Sequence, residues 1–165
     1  MREARCKIVV FGSYNAGKST FIHSLDPASR HVEVQTEGGT TTVALDFGRV
    51  NLGDRQIFLF GTPGQERFEF ARQLVSRGMH AALMVVDSTA EMDGATEKQY
   101  LWLKGLDIPY AIMLNKCDKP ASRKDEFLEY FSGEAVYPIS ALSSPGVLEA
   151  FSAFIGNILP PATIQ

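Results

Sequence analysis

Cysteine is scarce in this chain: Cys6 and Cys117 are the only two in 165 residues. Without metal-ligand spacing or an even, dense pattern they exclude a zinc cluster and a disulfide framework, and read as free thiols in a reducing compartment. Charge of one sign is lacking too. Lys and Arg number 16 against 19 Asp and Glu, a net charge of −3, which argues against wholesale binding to nucleic acid or an anionic membrane. No apolar run approaches the ~20 residues that span a bilayer. The polar start runs into too short an apolar stretch for a signal peptide. Arg2 and the Pro-Ala-Thr-Ile-Gln ending provide neither a myristoylation start nor a prenylation box. The expectation is a cytoplasmic protein with no direct membrane anchor. Repeats, linkers and low-complexity tracts are absent, and His23, His31 and His80 are scattered as surface or packed histidines usually are.

What is present is an ordinary globular composition, 45% hydrophobic and 21% charged, enough to bury one core within a single domain over residues 1–165. Short β-rich apolar runs recur at 8–11, 43–50, 57–60, 81–86, 110–114 and 135–139. Helical spacing lies between several of them, at 20–25, at 94–106 around Trp102, and through Val147, Phe151, Ile155 and Ile158. Strands alternating with helices predict an α/β fold, a mostly parallel six-stranded sheet with helices on both faces. One pair breaks the rhythm. Residues 43–50 alternate apolar with small or polar side chains and run through turn chemistry at 51–54 into the next strand, predicting a hairpin with one antiparallel edge strand. Residues 26–41, and 62–64 with the charged stretch behind them, are too rich in Gly, Pro and Thr for regular structure; long loops in a compact domain are usually functional.

The first chemical signal is Gly12-Ser-Tyr14-Asn15-Ala16-Gly17-Lys18-Ser19, which fits G-x-x-x-x-G-K-[ST] directly after an apolar strand and before a helical pattern. Glycines let the backbone curl so that successive N–H groups point inward, and the helix N-terminus that follows adds partial positive charge, making a cradle for a polyphosphate that extends to Thr20. Lys18 would reach the β and γ phosphates, and the Ser19 hydroxyl would ligate Mg²⁺. The loop implies a nucleoside triphosphate without choosing the base.

Asn115-Lys116-Cys117-Asp118 supplies that choice, closing an apolar strand at its carboxyl end, where open α/β sheets place ligands. A carboxylate at Asp118 can accept from the ring N–H and the exocyclic amine of guanine together; adenine offers no such pair. Asn115 would tie this loop to the base and the phosphate loop, and the stem of Lys116 would cover one ring face. Backbone N–H groups at Ser140 and Ala141 would meet the guanine oxygen, with Leu142 next in line.

These blocks, in this order with Thr42 and Thr62-Pro-Gly64-Gln65 between them, resemble the Ras-like small GTPases over nearly the whole chain. The stretches 40–48 and 59–68 are similar to a prokaryotic branch that includes the GTPases of conservon operons and, more distantly, the gliding-polarity GTPase. The resemblance implies a P-loop NTPase fold of the G-domain type, binding GTP and GDP with Mg²⁺. It assigns Thr42, with Thr40 and Thr41 as neighbours, to Mg²⁺ and the γ-phosphate, the Gly64 N–H to the γ-phosphate, and Gln65 to orienting the attacking water. Lys18, Thr42 and Gln65 would be the catalytic group.

Three departures stand out: Gly61 where the family usually carries the Asp that holds Mg²⁺ through water, Tyr14 at a small-residue position, and Leu142 where a Lys often follows Ser-Ala. No arginine lies between Gly38 and Thr42, so transition-state charge would fall to Arg67, Arg30 or a partner, and unassisted turnover should be below about one per minute. The branch often works with roadblock/LC7-fold regulators, which makes such a dimer the expected partner. The expected function is a GTP-hydrolysing molecular switch in signal transduction. The alternatives are a GTP-binding scaffold with negligible hydrolysis, motivated by Gly61 and Tyr14, and a kinase using the same loop, against which Asp118 speaks.

Overall fold

The computed structural model describes residues 4–13, 15–35, 42–62 and 69–158. The order is β1 (Ala4–Phe11), α1 (Lys18–Leu25), β2 (Arg30–Gln35), β3 (Thr42–Leu52), β4 (Arg55–Gly61), α2 (Glu69–Ser76), β5 (Ala81–Asp87), α3 (Gly94–Lys104), β6 (Tyr110–Asn115), α4 (Lys124–Tyr130), β7 (Val136–Pro138) and α5 (Ser144–Ile158). The strands form one sheet in the order β2-β3-β4-β1-β5-β6-β7. β4, β1, β5, β6 and β7 are joined in parallel, whereas β3 runs antiparallel to both β2 and β4.

Parallel strands covered on both sides alternate their side chains between two cores. Cys6, Ile8 and Val10 of β1 meet Phe21 and Ile22 of α1 and Val147, Phe151 and Ile155 of α5. Val9 and Phe11 face the other way, in the cluster that holds Val75 of α2, Leu103 of α3 and Phe127 of α4. Burying a side chain such as Phe151 contributes roughly 1.5–3 kcal/mol. In α3 the Asp93 carboxylate caps the first turn by accepting from the Thr96 N–H at 2.7 Å. Trp102 packs edge-to-face on Phe11 with ring centroids 5.3 Å apart, a core role, while Leu101, its neighbour in the same helix, is exposed.

Among the described residues the sheet has seven strands where sequence periodicity finds six, because β2 lies inside the stretch read as loop. Arg-His-Val-Glu-Val-Gln alternates polar with apolar residues as a half-covered edge strand does, but the Thr/Gly-rich residues beyond it and Pro27 before it hide the pattern. β2 is therefore the edge and β3 is internal. The predicted hairpin forms at Gly53-Asp54: Leu52 pairs with Arg55, and Gly53 has a φ of +62°, as two-residue turns require.

Candidate functional site

The segment between β1 and α1 is shaped by residues that tolerate positive φ: Gly12 at +153°, Asn15 at +66° and Gly17 at +103°. Two of them also have no room for a side chain. A Cβ on Gly12 would lie 2.5 Å from the Val85 carbonyl oxygen, and one on Gly17 would run into the Asn115 amide. The loop is closed by Ala16 N–H donating to the Ser13 carbonyl at 3.1 Å, and α1 starts with Phe21 N–H on the Gly17 carbonyl at 2.9 Å. Lys18 is buried and folds back over the loop, donating from Nζ to the Gly12 carbonyl at 2.6 Å and the Ser13 carbonyl at 3.1 Å. Burial, reinforced by the Arg72 charge and opposed by Asp46, pulls its pKa down to about 8.

Asn115, at the end of β6, is the brace across the site. Its side chain donates from Nδ2 to the Ala16 carbonyl at 2.9 Å and accepts at Oδ1 from the Ala141 N–H at 2.8 Å. One buried amide thereby fixes the phosphate loop and the turn after β7 to the same strand. The Ala141 N–H that sequence reading offers to a base oxygen is committed to Asn115 here. Lys116 has a φ of +63° and donates from Nζ to the Asn15 carbonyl at 3.0 Å and to Asp87 Oδ2 at 2.9 Å. Burial opposes ionisation of Asp87, but hydrogen bonds from Thr89 and Lys116 and the Lys116 charge outweigh it and hold the carboxyl below its ordinary pKa. Asp118 is exposed, without a hydrogen-bonding or ionic partner among the described residues.

A cleft of about 690 Å³ opens at the carboxyl ends of the central strands, with Lys18, Ser19, Thr20, Lys116 and Gly61 among its lining residues, whereas Asn115, Asp118, Ser140 and Ala141 are not in that lining. Leu142 is 79% exposed and is not in that lining either. Ser140 is half-buried beside Ala141. Thr42 begins β3 opposite Gln35, with its side chain outside the described set. Tyr14, Thr40, Thr41, Gly64, Gln65 and Arg67 lie outside the described residues.

Three side chains that sequence reasoning missed are brought to this site. Asp87 holds Lys116. Asp46 of β3 and His31 of β2 line the cleft, and Ser19 Oγ donates to Asp46 Oδ2 at 2.5 Å. The signal in the sequence is the acid missing at Gly61 together with the hairpin that sets Asp46 on the adjoining strand. For Mg²⁺ the donor set fits: a hydroxyl and a carboxylate meet on the cleft wall, the hard oxygen ligands this ion takes alongside phosphates and water. No group of three or more His, Cys, Asp or Glu exists among the described residues to form an all-protein cage.

A glycine-shaped loop leading into a helix, a buried lysine and a strand end tied to that loop by Asn115 define the P-loop nucleotide-binding class. Solved structures carry the same fold. An elongation factor SelB from Methanococcus maripaludis, in complex with a GTP analogue, superposes with a TM-score of 0.77 at 22% identity, covering 100% of this chain and 36% of that one. The Arl6 BBS3 small GTPase of Trypanosoma brucei gives 0.72 at 20% identity over 94% and 98%. Residues 7–116 match the 50S ribosome-binding GTPase family, and the chain belongs to that family of P-loop GTPase G domains. Among curated proteins it is 39% identical over 157 residues to uncharacterized protein MJ1339 of Methanocaldococcus jannaschii, covering 95% of this chain and 99% of that protein. It is 28% identical over 152 residues to GTPase Era of Rickettsia bellii, covering 85% of this chain and 51% of Era.

No described helix is long and apolar enough to cross a membrane.

Proposed function

We propose that this protein is a small GTPase switch that binds GTP and GDP with Mg²⁺ and hydrolyses GTP to GDP and phosphate, slowly when alone. The observation that carries the reading is Asn115 bridging Ala16 and Ala141, which couples a base-selecting strand end to the phosphate loop. Lys18 exchanges its loop carbonyls for phosphate oxygens, and the amides of the loop from Gly12 to Thr20 neutralise the remaining charge. Asp118 selects guanine, with Lys116 against the ring and the Ser140 and Ala141 backbone at the base end, where the exposed Leu142 beside them contributes little. Bound Mg²⁺, held through Ser19 and Thr42, would supply electrostatic stabilisation of charge on the phosphates. Gln65 orients the attacking water, and the Gly64 N–H meets the γ-phosphate.

Intrinsic turnover below about one per minute follows from the missing arginine. The finer assignments also belong to this reading: the conservon-type branch, a single domain over 1–165, a cytoplasmic place in signal transduction, and regulation by a partner protein, a roadblock/LC7-type dimer being the leading candidate. The experiment is nucleotide identification from the purified chain, followed by competition of a fluorescent GDP analogue with GDP and ATP. GDP should compete and ATP should not; equal competition sinks the proposal. The absence of a carboxylate at Gly61 favours the second reading, a scaffold that binds GTP without hydrolysing it, and single-turnover phosphate release at saturating Mg²⁺ separates the two.

A further inference from the structure

The gap at Gly61 is filled from the next strand. β3 and β4 pair so that Asp46 stands directly opposite Gly61. A Cβ built on Gly61 would lie 3.1 Å from Asp46 Cβ, 3.4 Å from Asp46 Oδ2 and 2.9 Å from Ile22 Cδ1. The space into which a side chain at 61 would grow is thus occupied by the Asp46 carboxylate itself. That carboxylate uses both oxygens. Oδ2 accepts from Ser19 Oγ at 2.5 Å, and Oδ1 lies 2.7 Å from His31 Nδ1. His31 is opposite Asp46 in the β2–β3 ladder, so three neighbouring strands fix the arrangement by register alone. Both side chains line the cleft that holds Lys18 and Ser19.

We infer that Asp46 and His31 form a relocated metal-binding unit: Asp46 supplies the acid for the phosphate-bound cation in place of a residue at 61, and His31 is its positioning residue. The inference deepens the proposed GTPase reading and rests on it. A magnesium site of this kind takes one or two carboxylates with phosphates and water, so one well-aimed carboxylate matters. A carboxylate only accepts hydrogen bonds, so the His31 nitrogen facing it carries the proton. This is the outer-shell contact that orients a metal-binding group and tunes its basicity. Removing it lets Asp46 rotate without removing its charge.

The test reads cation dependence rather than hydrolysis. The full chain is loaded with a fluorescent GDP analogue, and release is followed across a Mg²⁺ titration, with each variant's rate in EDTA as its own reference. Asp46→Asn should raise the Mg²⁺ concentration for half-maximal retention by roughly 10–100-fold, the range found when groups around a metal are altered. His31→Ala should shift it the same way by about tenfold, and His31→Gln, which keeps a donor, should recover most of the loss. The decisive variant exchanges the two positions. Asp46→Gly with Gly61→Asp should restore Mg²⁺ dependence lost in Asp46→Gly, since removing the Asp46 side chain clears space for the new one and the Ile22 tip can turn aside. A purely structural Asp46 would not be replaced by an acid on another strand. An unchanged Mg²⁺ midpoint in Asp46→Asn overturns the inference while leaving the GTPase reading intact. A wild-type chain that retains no guanine nucleotide at any Mg²⁺ concentration overturns both.

Discussion

The two halves of the cleft are built on opposite terms. On the side proposed for the base, the end of β6 is committed to the protein: Asn115 is bonded to Ala16 and Ala141, and Lys116 to Asn15 and Asp87. On the phosphate side the polar groups occupy one another. Lys18 rests on the Gly12 and Ser13 carbonyls and Ser19 on Asp46, bonds that a nucleotide and its cation would have to replace. The first half is a preformed frame, which spends little on ordering when a ligand arrives. The second is a set of exchangeable contacts, so its affinity depends on conditions that change those contacts.

The largest effect that would sharpen this contrast is at Asp118. On the proposed reading Asp118→Ala would remove two charge-assisted hydrogen bonds to guanine, about 1.5–3 kcal/mol each, and should weaken GDP by roughly 10²–10⁴-fold without improving ATP. A fluorescence competition titration reads both. Next is Asn115→Ala, which leaves buried partners at Ala16 and Ala141 unsatisfied; it should cost about 2–4 kcal/mol in denaturant unfolding of the nucleotide-free protein as well as weakening GDP. A loss of binding with unchanged stability would show that the frame is assembled by ligand instead.

A pH titration then addresses the phosphate side. Free Lys18 titrates at about 8, and phosphate oxygens around the bound ammonium raise that value, so binding takes up a proton above it. GDP affinity should be flat below pH 8 and fall by up to about tenfold per pH unit above it; a flat profile to pH 9.5 would contradict the exchange of Lys18 contacts. The nucleotide-free fold shows the matching sign. Its Lys18 is depressed below the ordinary value of 10.5, so this group's contribution to stability rises as pH goes from about 8 toward 10.5. Smallest is Leu142→Lys, expected to change GDP affinity less than about twofold and stability by less than about 0.5 kcal/mol, because the side chain is 79% exposed and outside the cleft.

The same division governs what could be read from sequence. The base-side and phosphate-loop residues are contiguous in the chain, each directly following an apolar strand, so Gly12–Ser19 and 115–118 announce themselves with their context. β1, β5 and β6 are legible for the same reason, being apolar on both faces. The side proposed to hold the metal is assembled across strands. His31, Asp46 and Gly61 meet only through the pairing of β2 with β3 and β3 with β4; turn chemistry at 51–54 announces the second pairing, and no local pattern reports the first. Gly61 is recognisable as a missing acid and the hairpin turn points to Asp46 beside it, but nothing local points to His31. The error over β2 compounded this, since reading 26–41 as a loop removed the strand that carries His31.

The turn at Gly53-Asp54 lies at the far end of the hairpin from the cleft, yet it acts as the ruler for what happens there. By closing β3 onto β4 at Leu52 and Arg55 it sets the count that brings Asp46 level with Gly61. A slip of a single residue would send every β3 side chain to the opposite face of the sheet. Lengthening or shortening this remote bend is therefore a way to retune the chemistry without touching any group that meets a ligand.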